Sequence, residues 1–146
     1  MPTGSVRAVE EVLDLPDGDI DPLLPYVDRA AFINLWPGVD EDEVPARSGL
    51  AHLFGNRGPT VPLATWTPGE IGLQHMAGQK VRAFLAERGV ATPDEWYVAT
   101  EHPKRGLVLK TYGTPAEDAL RWLVRAARAT CPLPIVGPWR AVVRTR

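Results

Sequence analysis

One cysteine, three histidines and three lysines in 146 residues leave little material for several kinds of chemistry. The lone Cys131 cannot build a disulfide framework or a thiolate zinc site, and it suits a reducing compartment, so a soluble, cytoplasmic protein is expected. No two of His52, His75 and His102 share the i, i+4 spacing of a helical metal pair, and none is flanked by the carboxylates of a facial triad. No metal and no cofactor is therefore expected. The chain lacks a Gly-x-Ser-x-Gly elbow, and Gly78-Gln79-Lys80 lacks the spacing of a phosphate loop. Asp17-Gly18-Asp19-Ile20-Asp21 has the look of a calcium loop, but Leu13, Leu15 and Leu24 would fall on its ligand positions. No run approaches the roughly 18 apolar residues of a helical membrane span. The opening MPTGSVRAVEEVLDL has no apolar signal core, so no membrane partner is expected.

What the chain does have is proline, arginine and an uneven charge. Nine of its 15 prolines lie in residues 1–68 and cut that stretch into short pieces. Residues 1–50 carry 11 acids against Arg7, Arg29 and Arg47, whereas residues 51–146 carry 13 Lys or Arg against 7 acids. Opposite halves of one small domain usually lie against each other; the alternative is a basic surface kept free for an anionic partner. The length fits one domain with a sizeable core. We divide it into an acidic, Pro-rich segment 1–60 that packs on the rest, and a core over 61–146.

The second half carries the clearer element signals. Thr67-Pro68-Gly69-Glu70 has the form of a capping box with Pro at the first helical position, and Leu73, Met76, Ala77, Val81, Phe84 and Leu85 follow at helical spacing. This predicts a helix over 68–88, ended by Gly89. Thr114-Pro115-Ala116-Glu117 repeats the start signal, and Ala116, Leu120, Leu123 and Ala127 predict a second helix to about Cys131. Its other side carries Arg121, Arg125 and Arg128. Strands are expected at Val61–Trp66, Trp96–Glu101, Leu107–Tyr112 and Trp139–Thr145, with His102–Gly106 as a hairpin turn. In the first half, a short helix through Ala30, a strand Phe32–Trp36 and a helical turn Ser48–Phe54 are expected. The resulting order β-α-β-β-α-β is similar in topology to ferredoxin-like α+β domains, which implies an antiparallel sheet with two helices on one face.

Alternation then divides the residues between two faces. Trp96, Val98, Thr100, Leu107, Leu109, Thr111, Trp139, Ala141 and Val143 are expected under the helices. Tyr97, Ala99, Glu101, Val108, Lys110, Tyr112, Arg140, Val142 and Arg144 are expected on the open face. Lys110, Arg140 and Arg144 beside Tyr97 and Tyr112 form the candidate ligand site, suited to a small anionic ligand. His75, Tyr97 and Tyr112 are the candidate proton-transfer residues, with His75, Gln79 and Arg82 on one helical face. Arg105-Gly106-Leu107-Val108-Leu109-Lys110-Thr111-Tyr112 lacks the inner aromatics of an RNA recognition motif, so nucleic acid is not an expected partner. Three readings follow. The first is a binding or interaction module on the open face, for an anionic ligand, a protein or a second copy of the chain. The second is a small cofactor-independent enzyme with a pocket between sheet and N-terminal segment. The third is a weak, non-specific nucleic-acid binder. Segment 1–60 is expected to cover part of the open face.

Overall fold

The computed structural model describes residues 10–40, 61–78, 80–103 and 105–146. Seven strands form one sheet: β1 (Glu10–Leu15), β2 (Ala30–Val39), β3 (Leu63–Thr67), β4 (Glu70–Gln74), β5 (Tyr97–His102), β6 (Gly106–Lys110) and β7 (Ile135–Thr145). Their spatial order is β1-β7-β2-β3-β4-β6-β5, and every neighbouring pair is antiparallel. Among the described residues two α-helices accompany them, α1 (Val81–Glu87) and α2 (Ala116–Thr130), with short 3-10 turns at Pro16–Gly18 and Asp21–Tyr26. Among the described residues no helix is long and apolar enough to cross a membrane.

The chain is dominated by this sheet and is not a ferredoxin-like domain with two helices packed on one face. Two features of the sequence produce the difference. Thr67-Pro68-Gly69-Glu70 is a hairpin turn rather than a helix start: Gly69 sits at φ +82°, and Trp66 pairs with Ile71 and Ala64 with Leu73 across it. Proline before a left-handed glycine suits a tight turn as well as it suits a first helical turn. Behind it Ile71, Leu73 and His75 alternate at strand period, so only Val81–Glu87 of the expected 68–88 helix is helical. Secondly, the N-terminal segment is not an irregular preface: it supplies β1 and β2, which flank β7 on both sides. These two strands extend the sheet edge to edge and do not lie over its open face. The expected turn at Ser48–Phe54, with His52, lies outside the described residues, as do Gln79 and Lys104.

The second helix and the later strands match expectation closely. Helix α2 crosses β2, β3 and β4 and buries Leu120, Leu123 and Ala127. Beneath it lie Leu15, Ile33, Leu35, Ala64, Trp66, Ile71, Leu73, Leu107, Leu109, Trp139, Ala141 and Val143, all buried. Thr114 does not cap α2; its hydroxyl accepts the Trp96 indole N–H at 2.7 Å, and Pro115 occupies the cap position. Trp96 meets Trp122 edge to face at 5.2 Å, and Trp122 donates to the Ala91 carbonyl at 2.9 Å.

The arginine stripe of α2 faces outward, yet each member is tied down. Arg121 reaches Glu117 at 2.9 Å and Asp21 at 3.5 Å. Arg125 donates to the Gly89 carbonyl. Arg128 donates to the Asp17 carbonyl at 2.8 Å and lies 5.4 Å over the Trp139 ring. The turn Pro16–Gly18 that receives Arg128 needs its glycine: Gly18 has φ +74°, and a Cβ there would stand 2.9 Å from Val124 Cγ1. In this way α2, β7 and the link from β1 to β2 are packed as one body.

Adjacent residues of β7 test this face assignment. Trp139→Ala should cost about 3–5 kcal/mol in denaturant unfolding, as for a buried aromatic. Arg140→Ala, which removes only an exposed ion pair, should cost less than about 1 kcal/mol. Comparable losses at both positions would mean that the strand is turned the other way.

Candidate interaction face

Among the described residues no helix lies on the second face of the sheet, and this helix-free face is built by register. Phe32, Asn34 and Trp36 on β2 stand opposite Arg144, Val142 and Arg140 on β7, and Glu10, Val12 and Asp14 on β1 flank the same three from the other side. On the other half of the sheet Thr65 pairs with Gly72, Gly72 with Val108, and Glu70 with Lys110. Tyr97 lies directly across from Lys110 on the edge strand β5.

Every cation expected to hold an anionic ligand faces a carboxylate on the neighbouring strand. Arg144 meets Glu10 at 3.8 Å, Arg140 meets Asp14 at 3.6 Å, and Lys110 is in contact with Glu70. The hydrogen bond to Glu70 holds the Lys110 ammonium above the ordinary lysine pKa. The five candidate ligand residues also fall into two groups. Tyr97 and Tyr112 adjoin Lys110: Tyr97 is its cross-strand partner, and Tyr112 packs on Gly69, beside Glu70. Arg140 and Arg144 lie on β7, four strand spacings from β6, which is roughly 19 Å.

The proton-transfer candidates are divided as well. Tyr97 and Tyr112 are exposed near the start of β4. His75 follows the other end of β4 and is 5% exposed on the helix side of the sheet. It is therefore not on a helical face with Arg82. Its Nδ1 accepts the Ala77 N–H at 3.1 Å, whereas Nε2 has no partner among the described residues. Burial lowers its pKa, with Glu101 opposing. Glu101 is also not on the open face. A β-bulge between Val98 and Thr100 turns the strand over, so Thr100 pairs with Val108 and Glu101 with Leu107. From there Glu101 accepts the Arg82 backbone N–H at 3.1 Å and Nε at 3.0 Å, securing the start of α1.

A trough of about 210 Å³ runs along β4 on this face. Leu63, Thr65 and Thr67 wall it on β3, Val108 on β6, and Gly72 leaves the middle open. Glu70 closes one end, already paired with Lys110, and Arg105 stands at the other. Arg105 makes no ion pair among the described residues, and its backbone N–H is held by His102 Nδ1 at 3.3 Å. Sequence reasoning missed the trough because it read residue 72 as helical. Thr65 was within reach of strand alternation. A larger cleft of about 620 Å³ opens on the helix side beside Trp96, Tyr112 and Trp122. Its indole N–H groups, Arg121 and Arg125 are engaged within the chain. Among the described residues no three His, Cys, Asp or Glu side chains are placed to hold a metal ion.

Two measurements check these electrostatics. Lys110→Glu sets two carboxylates opposite each other and should lower the unfolding midpoint, and Glu70→Lys in the same chain should restore most of the loss. An unchanged midpoint in the single variant would mean that the cation is free. For His75, the unfolded chain takes up the proton first, so stability is complete above pH 6.5 and falls as pH drops from there toward the lower folded pKa. His75→Asn, which keeps an acceptor for Ala77 N–H without titrating, should remove that slope. A slope that survives the substitution would assign it to another group.

The chain matches no family model, no curated protein and no solved structure.

Proposed function

We propose that this chain is an interaction module without chemistry of its own, which receives an extended segment of a partner polypeptide on the helix-free face. The trough over Gly72 carries the reading. At about 210 Å³ it is smaller than the 300–1,000 Å³ typical of small-molecule sites, yet it lies in the middle of a broad face. That face mixes apolar, hydroxyl and neutralised charged groups, as protein interfaces do. The carboxylates beside Lys110, Arg140 and Arg144 weigh against a small anionic ligand and against nucleic acid. The separation of His75 from Tyr97 and Tyr112 weighs against acid–base catalysis. A single, half-buried Cys131 fits a reducing, cytoplasmic setting.

A random dodecapeptide library displayed on phage and selected on the full chain tests this. Enriched peptides, titrated into isotope-labelled protein, should shift the methyl signals of Leu63, Thr65 and Val108 and leave Leu120 and Leu123 unmoved. Failure to enrich any sequence, or shifts confined to the helix side, would overturn the reading.

A further inference from the structure

Glycine in the interior of a strand that is paired on both edges normally weakens the sheet, and it is usually retained because the backbone conformation or a close neighbour forbids a side chain. Neither reason applies at Gly72. It is not among the glycines with positive φ. Among the described residues a Cβ built on it would meet only the Leu107 carbonyl oxygen, at 3.8 Å, an ordinary contact. By contrast, a Cβ at Gly106 on the adjoining strand would come within 2.4 Å of the Leu73 carbonyl. Among the described residues there is therefore room for a Cβ at position 72, with Thr65 on one side and Val108 on the other as partners of the kind that stabilise sheets. The side chain that is missing there is the trough.

We infer that Gly72 serves recognition rather than folding: its open position seats one aliphatic side chain of the partner segment, while Arg105 at the end of the trough receives a carboxylate from the same segment. This rests on the interaction-module reading and specifies its partner. Leu63, Val108 and the methyl groups of Thr65 and Thr67 supply apolar walls. The Thr65 hydroxyl is already committed to Asn34 Oδ1 at 2.7 Å, so it does not call for a polar group in the seat. Of the two charged residues that line the trough, Glu70 is satisfied by Lys110, and Arg105 makes no ion pair among the described residues. The complement is an aliphatic residue with an Asp or Glu nearby in an extended chain.

The test uses full-length Gly72→Ala and Gly72→Val with the peptides selected on the parent. Both variants should unfold at the parent's denaturant midpoint or above it. Affinity should fall at least tenfold for Gly72→Val and by less for Gly72→Ala. Arg105→Gln should weaken peptides that carry an acid and leave their Asp→Asn or Glu→Gln versions unchanged. A lower midpoint for Gly72→Ala would show that the fold needs the glycine and would overturn the inference. So would peptides that bind the face of Gly72→Val as tightly as the parent, which would leave the wider reading standing. A library that yields no face-directed peptide removes that wider reading itself, whatever the midpoints.

Discussion

Strand β7 is paired along both edges, to β1 on one side and β2 on the other, and on its helix-facing side Trp139, Ala141 and Val143 are removed from solvent. The placement of the other parts depends on that double pairing. It brings the last eleven-residue strand between the first two, so the chain cannot complete its sheet until its end is in place. It also requires α2 to carry the chain back over β4, β3 and β2, and this crossing roofs the core. Pairings this distant in sequence carry a high loop-closure cost, met only by burial along the whole strand.

The charge imbalance between the halves has a physical use in this arrangement. Among the described residues three ion pairs join the acidic first part to the basic second part: Glu10 with Arg144, Asp14 with Arg140 and Asp21 with Arg121. Each is half exposed and contributes little stability alone. Two of them, however, sit at directly opposed positions of β1 and β7, where a slip by one residue would take each carboxylate away from its arginine. They therefore favour the correct register of an edge strand. The same neutralisation leaves the helix-free face without a field of one sign, and shape becomes its distinguishing property.

Much of the second half was legible before the structure. The inward sets Leu107, Leu109, Thr111 and Trp139, Ala141, Val143 follow from alternation, and α2 follows from its apolar stripe. The first helix was misread because a Pro-Gly pair and a short apolar run satisfy two periods at once. Within residues 70–77 only tertiary pairing separates a strand from a helix, and the neighbours that decide it, β3 and β6, are remote in sequence on one side. Glu101 was misplaced for a related reason. A bulge inserts one residue, and no local pattern announces which residue of Tyr97–His102 is the extra one.

By itself the sequence determined what needs only local chemistry: an amphipathic helix over 116–130, alternating strands before and after it, turns at proline and glycine, and a polar alternate face. The tertiary structure decided what depends on which strands become neighbours. It placed β2 between β7 and β3, converted three candidate ligand cations into cross-strand ion pairs, separated His75 from Tyr97 and Tyr112, and set Gly72, a position inside the expected 68–88 helix, at the floor of a trough. The reason is the same in each case. A side chain's direction follows from its own strand's period, but its partner is set by pairings tens of residues away.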